Sequence, residues 1–301
     1  YKLPYVEASE SNKVILIVVD YLKLQDLQSS PVLKKLCEKR GVGLLNSNTG
    51  ASRTIPHTYA TINAGGLVSA PRTGIQIYNA KEKVDNITAI DLYKSKTGYS
   101  VPEEAVLVLS LPQLLKQNEI NNSDKEIGKL GTQLASAGYT TAILGNADLP
   151  NLQDRSVALI GMNSLGYVPL GDVSQNLNIS SNDFLGLRTD YVKLLDSFIY
   201  FYSRADFIII NLGDLVRLEV RQTEALSDRV ISERQEILNK IGTFILNLQN
   251  IVDINKDLIL MGALSQNPKN ATGENRMLPF TIYSKQINQG SRLRMRKFDC
   301  N

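Results

Sequence analysis

A run of apolar residues near the start of the chain, KVILIVV at residues 13–19, constrains the fold more than any other segment. After its leading lysine the run shows no polar alternation, so both faces of the strand that it predicts have to be buried. Strands of this kind lie at the centre of parallel sheets that are covered by helices on both sides. Asp20 follows the run directly. The sequence therefore predicts an α/β fold in which Asp20 ends a central strand.

Strand and helix patterns alternate along most of the chain after this run. Helices are predicted at residues 31–40, 125–137 and 190–202, a long helix or a helix pair at 222–251, and a short helix after a loop within residues 54–66. Further strands are predicted at residues 42–46, 139–144, 157–160, 206–210, 257–261 and 279–283. Residues 67–124 have weaker periodicity and are interpreted as an insertion. We expect one domain over residues 1–301, a doubly wound, mostly parallel sheet flanked by helices, with this inserted subregion.

Histidine and cysteine are nearly absent: the 301 residues include one histidine, His57, and two cysteines, Cys37 and Cys300. Zinc sites built from four cysteines, or from two cysteines and two histidines, are therefore excluded. A metal would have to bind mainly to Asp, Glu, Asn, Thr and backbone oxygen atoms, which favours Mg²⁺, Ca²⁺ or Mn²⁺. The 33 basic and 30 acidic side chains are interspersed, so the charge pattern predicts no nucleic-acid partner.

Carboxylates follow two of the predicted strands, at the edge where open α/β sheets bind ligands. Asp20 follows the first strand, and Asp214 follows the strand at residues 206–210 behind a glycine turn. Both side chains are suited to bind a hard metal ion. Simpler interpretations stay open, because Asp20 could cap the turn that follows it. Glu219 could join Asp214 only if the chain curls back, and otherwise it is a solvated side chain.

Thr54 lies two residues before Pro56, at the start of the predicted short helix. A hydroxyl there lies in the positive end of the helix dipole, which favours an anion and lowers the cost of forming an alkoxide. The position suits a nucleophile that attacks phosphorus or sulfur, but a threonine before proline is also an ordinary N-cap. His57 could act beside Thr54 or could be a packed histidine. We expect Asn46, Arg53 and His57 to bind substrate.

Longer motifs connect these positions to a known family. VILIVVD at residues 14–20 and RTIPHTYATINAGG at residues 53–66 are followed by a late strand with Asp214 and by a final strand. This order resembles the alkaline phosphatase superfamily, which includes sulfatases, nucleotide pyrophosphatases and cofactor-independent phosphoglycerate mutases. The resemblance implies that Asp20 is a metal ligand and that Thr54 stands at the place of the nucleophile.

Four segments are similar to a bacterial group of membrane-anchored members of this superfamily. They are NSNTGASRTIPHTYATINAGG at residues 46–66, ILGNAD at 143–148, INLGDLVRLE at 210–219 and LPFTIYSKQINQG at 278–290. The similarity implies a location outside the cytoplasmic membrane. No apolar stretch approaches the roughly 18 to 20 residues that span a bilayer. Any membrane anchor is therefore expected in segments outside this sequence.

The chain departs from the superfamily pattern where histidine ligands are expected. Members resembling the type enzyme carry an Asp-His pair after the last core strand, whereas residues 262–265 here are GALS, and Asp214 has no histidine near it in sequence. Of the roughly six ligands that a two-metal mechanism uses, only Asp20, Asp214 and the Thr54 hydroxyl have counterparts. We therefore predict at most one hard divalent ion, Mg²⁺, Mn²⁺ or Ca²⁺, and do not expect a two-zinc site.

Three hypotheses for function follow. The first is an extracytoplasmic domain with a degenerate metal site, weakly active or non-catalytic, that binds a small anionic ester or an unknown protein or envelope partner. The second is a divergent metal-dependent hydrolase or transferase of phosphate, phosphonate or sulfate esters, with Thr54 as nucleophile and an ion on Asp20 and Asp214. The third is a structural or assembly role away from this edge. Pairing of the two aspartates with arginine or lysine would count against the second hypothesis.

Overall fold

The computed structural model describes residues 13–38, 41–46, 54–120, 125–265 and 277–285. The α-helices in these ranges are α1 (Leu24–Ser29), α2 (Pro31–Glu38), α3 (Ile55–Ala64), α4 (Ala89–Thr97), α5 (Leu111–Ile120), α6 (Lys129–Ser136), α7 (Ala158–Gly161), α8 (Tyr191–Tyr202), α9 (Asp214–Arg221) and α10 (Ser227–Gln249). The strands are β1 (Val14–Val18), β2 (Gly41–Asn46), β3 (Ile77–Asn79), β4 (Lys83–Val84), β5 (Ile87–Thr88), β6 (Val106–Val108), β7 (Thr141–Leu144), β8 (Tyr167–Val168), β9 (Leu170–Asp172), β10 (Asn178–Ser180), β11 (Leu187–Thr189), β12 (Phe207–Asn211), β13 (Leu258–Gly262) and β14 (Met277–Tyr283). Short 3₁₀ helices lie at Gln175–Leu177 and Gln222–Glu224.

The main sheet has seven strands in the order β2-β14-β13-β1-β12-β7-β9. β1 pairs in parallel with β13 on one side and β12 on the other, and β7 and β9 continue the parallel set. β14 is antiparallel to both β13 and β2. This topology confirms the predicted α/β fold with a mostly parallel sheet, and it places the carboxyl ends of β13, β1, β12 and β7 side by side.

The central strand β1 is buried on both faces, as its apolar run predicts. Ile15 and Ile17 belong to a core cluster that includes residues of α2, α8 and α10. Leu16 and Val18 belong to the cluster on the opposite face, with residues of α3 and α7. Burying one aliphatic side chain of this size contributes roughly 1.5–3 kcal/mol. The end of β1, two residues before Asp20, is therefore packed between the two helical layers.

One predicted strand is wrong, because residues 157–160 lie in α7 and its N-cap rather than in a strand. The run is apolar and fully buried, and a short buried run of this kind carries no periodicity that separates strand from helix. α7 packs on α6 so closely that a Cβ on Gly131 would lie 2.4 Å from the Met162 carbonyl oxygen. Tertiary packing, which the local sequence does not encode, selects the helix.

A second difference concerns the chain after β12. The sequence predicts a turn at Gly213-Asp214, whereas Asp214 is the first residue of the eight-residue helix α9 in the structure. α10, predicted to begin at residue 222, begins at Ser227 after a 3₁₀ turn. Asp214 is therefore held in the first turn of a helix, where a carboxylate is favoured by the helix dipole.

The segment predicted as an insertion contains the small elements β3 to β6, α4 and α5. β6 pairs with β3 and with β8, and β4 pairs with β5. A separate core cluster around Tyr93 and Leu107 holds these elements together. The division of the chain into one domain with an insertion at residues 67–124 stays a prediction. Within the described ranges, no helix is long and apolar enough to cross a membrane.

Candidate functional site at the carboxyl edge of the sheet

Asp20 lies where β1 ends, between the ends of its two parallel neighbours, and its side chain is 1% exposed. Its Oδ1 accepts backbone N–H groups from Leu264 at 3.1 Å and Ser265 at 2.7 Å, both just beyond β13. Its Oδ2 accepts the hydroxyl of Tyr59, which projects from α3. Both carboxylate oxygens are thus engaged by protein donors.

Burial raises the pKa of Asp20 to about 6, because removal of water disfavours the charged form more than the three donors favour it. The neighbouring carboxylate of Asp154 raises the pKa further. Burial and the Asp20 charge also raise the pKa of Tyr59 well above its ordinary value, so Tyr59 stays a neutral donor to Asp20. When Asp20 is ionised, the buried pair of Asp20 and Tyr59 therefore carries one negative charge, on Asp20.

Backbone strain accompanies Asp20. The next residue, Tyr21, has a φ of 64°, in the left-handed region that costs a non-glycine residue roughly 1–2 kcal/mol. Its N–H donates to the Ser265 carbonyl at 3.1 Å, and its carbonyl accepts from Arg234 Nη2 at 2.8 Å. These contacts hold the strained conformation and turn the chain sharply after the carboxylate.

Asp214 is buried at 1% exposure and forms an ion pair with Arg217, one turn later on α9. Arg217 Nη1 donates to Asp214 Oδ1 at 2.7 Å, and the Thr189 N–H donates to the same atom at 2.9 Å. Tyr191 donates its hydroxyl to Oδ2 at 2.9 Å. The residue before Asp214 is a glycine, and a side chain would not fit there because its Cβ would lie 2.4 Å from the Asn146 carbonyl oxygen.

The guanidinium of Arg217 is surrounded by oxygen atoms and is fully buried. Besides Asp214 it donates to Thr189 Oγ1 at 2.9 Å, to the Asp148 carbonyl at 2.8 Å and to Asn178 Oδ1 at 2.9 Å. It also donates to both the carbonyl and the side-chain oxygen of Asn146, at 3.1 and 2.9 Å. Arg217 thus joins the ends of β7, β10 and β11 to α9.

These contacts decide whether the predicted metal ligands fit a metal ion. Asp20 and Asp214 have both oxygens occupied by donors, Asp214 by a cationic one, and within the described ranges no hydrogen bond or ion pair links them. No group of three or more His, Cys, Asp or Glu side chains placed to hold a metal occurs among the described residues. The donor set does not fit the metal that the fold implies.

Thr54 and His57 form a close pair at the start of α3. Thr54 is the N-cap residue, with φ −89° and ψ 158°, but its side chain makes no capping hydrogen bond. Its Oγ1 lies 2.8 Å from His57 Nδ1 instead. His57 is 4% exposed, and burial together with the charge of Arg72 lowers its pKa, so the ring is neutral near pH 7. Thr54 itself is half-buried.

Of the other two predicted substrate residues, the structure describes only Asn46. Asn46 ends β2 and is exposed; β2 is three strands from β1 in the sheet, roughly 14 Å at the usual strand spacing. Arg53 lies outside the described residues. Asp20 is connected to α3 through Tyr59, five residues after Thr54, so α3 links the nucleophile candidate to the buried carboxylate.

The sequence gives no indication of a role for Tyr59 and Arg217, and it marks Asn211 and Ser265 only as polar residues that follow strands. Asn211 and Ser265 are 3% and 1% exposed, and Asn211 Oδ1 and Ser265 Oγ make no hydrogen bond within the described part of the chain. The available signal was their place directly after strands, but nothing local marked them as buried. Two surface depressions, of about 490 and 390 Å³, lie elsewhere, beside α8 and between α2 and α10.

No protein-family model and no curated protein matches the sequence. The fold, by contrast, matches solved structures. A protein in the alkaline phosphatase superfamily from Vibrio parahaemolyticus aligns with TM-score 0.53 at 11% identity, over 92% of this chain and 61% of that one. A 2-O GAG sulfatase, BT1596, aligns with TM-score 0.51 at 10% identity, over 94% and 66%. PH0037 from Pyrococcus horikoshii aligns with TM-score 0.50 at 11% identity, over 93% and 87%. The chain thus spans less than two thirds of two of these proteins.

Proposed function

We propose that this chain, which has the fold of the alkaline phosphatase superfamily, binds a small anionic ester of the phosphate or sulfate class without two-metal hydrolysis. One observation carries the proposal: both predicted metal ligands, Asp20 and Asp214, are engaged on both oxygens by protein donors. A two-metal mechanism needs free ligands to hold ions about 4 Å apart and to neutralise the developing charge. The site is therefore degenerate as a metal centre while its position in the fold is retained.

The N-terminal end of α3 is the part of the edge that suits an anion. A ten-residue helix carries a partial positive charge at its N-terminus, which favours an anionic group there. Arg72 is exposed, and its charge acts on His57 in the first turn of α3. The anionic part of the ligand belongs beside Thr54 and Arg72, away from the buried Asp20 carboxylate.

The unpaired buried oxygens suit the rest of such a ligand. Asn211 Oδ1 can accept a hydrogen bond, and Ser265 Oγ can donate or accept one. A buried polar atom without a partner costs roughly 1–3 kcal/mol, which a ligand hydroxyl would recover. We therefore propose an ester of a polyhydroxy alcohol, such as a sugar or glycerol.

Thermal unfolding with added ligands tests this proposal. Glycerol phosphates, sugar phosphates and sugar sulfates at a hundred times Kd are expected to stabilise the fold by about 2.7 kcal/mol. Mn²⁺, Mg²⁺, Ca²⁺ and Zn²⁺ are expected to give no saturable shift. Arg72→Ala should weaken ester binding, whereas Lys96→Ala, an exposed cation on α4, should not. No stabilisation by any ester would refute the proposal.

The metal-dependent alternative is tested with the same protein. If the chain is a divergent hydrolase with Thr54 as nucleophile, aryl phosphate, phosphodiester or aryl sulfate turnover will require a divalent ion and will be lost in Asp20→Asn. Saturable Mn²⁺ binding that disappears in Asp20→Asn or Asp214→Asn would establish this alternative. The predicted protein or envelope partner remains a second possible ligand class.

The extracytoplasmic location is likewise a proposal that rests on the motif similarity. Protease accessibility of the native protein in intact spheroplasts tests it, with a cytoplasmic protein as control. Protection of the protein until the cells are lysed would contradict an extracytoplasmic location.

A further inference from the structure

We propose that Thr54 and His57 form a metal-independent nucleophile and general base that transfers an acyl group from a carboxylic ester to the Thr54 hydroxyl. The inference goes beyond the proposed ligand binding, because it names a reaction of the Thr54 hydroxyl, beside which the proposed ligand would lie. It stands on geometry: Thr54 Oγ1 lies 2.8 Å from His57 Nδ1, within the reach that a base needs to accept a proton from its nucleophile.

The Thr54 hydroxyl is directed to the imidazole at the expense of its ordinary role. An N-cap threonine normally accepts an N–H of the first turn, and Thr54 makes no such bond. The Thr54 carbonyl accepts the first helical hydrogen bond from the Thr58 N–H at 3.1 Å, and it also accepts the Thr58 hydroxyl at 3.2 Å. Thr54 is half-buried, whereas His57 is 4% exposed.

The tautomer of His57 sets which atom of the pair donates the hydrogen bond. With its proton on Nε2, the ring presents Nδ1 as an acceptor for the Thr54 hydroxyl. A neutral acceptor beside a hydroxyl is the arrangement that hydroxyl nucleophiles require in acyl transfer.

For reaction with Thr54, as distinct from binding, the chemistry of the edge favours a carboxylic ester over a phosphate ester. Hydrolysis of phosphate monoesters is among the slowest uncatalysed reactions, and attack on them requires strong neutralisation of charge. The donors at this edge do not fit a metal that would supply it. A neutral carboxylic ester needs only a nucleophile, a base and a positive dipole for the oxyanion, and the α3 N-terminus provides that dipole.

The step balances without another reactant. Thr54 Oγ forms a bond to the acyl carbon while its proton moves to His57 Nδ1. The bond between the acyl carbon and the ester oxygen then breaks, and His57 returns the proton to that oxygen, so that a neutral alcohol leaves. Water, with His57 again as base, can later hydrolyse the acyl-threonine to the carboxylic acid.

Acetylation by p-nitrophenyl acetate in the presence of EDTA tests the proposal. We expect a burst of p-nitrophenol and an acetyl group on the peptide that contains Thr54, located by mass spectrometry. Thr54→Ala should abolish the burst and the label, and His57→Gln should slow the burst at least about a hundredfold. Thr54→Ser should keep the burst within about tenfold, and Thr61→Ala, a control on the same helix, should leave it unchanged.

Several results would overturn the proposal. They are a wild-type protein without a burst, an acetyl group found only on lysines, a burst that EDTA abolishes, and an undiminished burst in folded His57→Gln. Circular dichroism establishes that each variant is folded, and the mild Thr54→Ser change keeps the test informative if His57→Gln unfolds. Phosphate-ester binding without acetylation would leave the binding function standing and refute this inference alone.

Discussion

Replacing Arg217 by methionine tests whether a protein cation, rather than a metal, holds the carboxyl edge together. Methionine fills a similar volume but removes the charge and all of the donors. Asp214 would then keep donors from Thr189 and Tyr191 but lose its cationic partner. The Asp148 carbonyl and Asn178 Oδ1 would lose the hydrogen bond from Arg217, whereas Asn146 Oδ1 would keep the donors of Asp148 and Asn178. The variant removes one buried interaction network at a single position.

The expected cost follows from the burial of this network. Removing one partner of a buried ion pair costs roughly 3–5 kcal/mol, because a buried charge is left without compensation. Arg204→Met is the matched control, since Arg204 pairs with Glu104 at the surface with a side chain that is 37% exposed. Breaking a surface pair of this kind costs about 0–1 kcal/mol. Urea unfolding followed by circular dichroism measures both changes.

The outcome discriminates between a protein cation and a metal. We expect the free energy of unfolding of the wild type to be the same with EDTA and with Mn²⁺. Arg217→Met should lose at least about 2 kcal/mol more than Arg204→Met. Equal losses in the two variants would refute the argument that Arg217 organises this edge. Loss of wild-type stability in EDTA would show that a metal contributes there after all.

Two further predictions concern Asp20 and the glycine at the end of β7. Burial raises the pKa of Asp20 from 3.8 to about 6, so between these pH values the folded state binds more protons than the unfolded state. The free energy of unfolding should therefore fall by about 3 kcal/mol as the pH rises from about 4 to above 6. Asp20→Asn should remove this dependence in pH-resolved urea unfolding; an unchanged slope would contradict it. Gly145 and Gly138 both have a φ near +85°, but only at Gly145 would a Cβ contact the backbone, at 2.3 Å from the Asn211 carbonyl oxygen. Gly145→Ala should therefore lower the melting temperature more than Gly138→Ala does. Equal losses would contradict the steric argument.

The fold could be predicted because its strands are marked by composition. A central parallel strand needs apolar side chains on both faces, and residues 13–19 show that pattern without ambiguity. α7 and α9 could not be predicted with the same certainty. α7 is a four-residue buried helix with no visible period, and α9 depends on contacts of Asp214 and Arg217 with other parts of the chain.

The local sequence pattern indicates where three candidate residues lie in the fold, but it does not indicate their contacts. Placing Asp20, Thr54 and Asp214 after strands or before a helix needs only the local pattern. What each side chain contacts is set by residues far along the chain: Tyr59 is 39 residues from Asp20, and Ser265 is 245 residues from it. An arginine such as Arg217, 71 residues from Asn146, carries no local sign that it is fully buried.

The position of β1 at the centre of the sheet has a consequence for synthesis of the chain. β1 is near the start of the sequence, whereas its two partners, β12 and β13, are made much later, and Leu264 follows Asp20 by 244 residues. At about 5–20 residues per second, a ribosome needs roughly 10–50 seconds to cover that distance. During this time VILIV at Val14–Val18 has no neighbouring strand, and apolar strands with unpaired edges aggregate readily. Productive folding of this chain therefore depends on protection of its first strand until the last third has been translated.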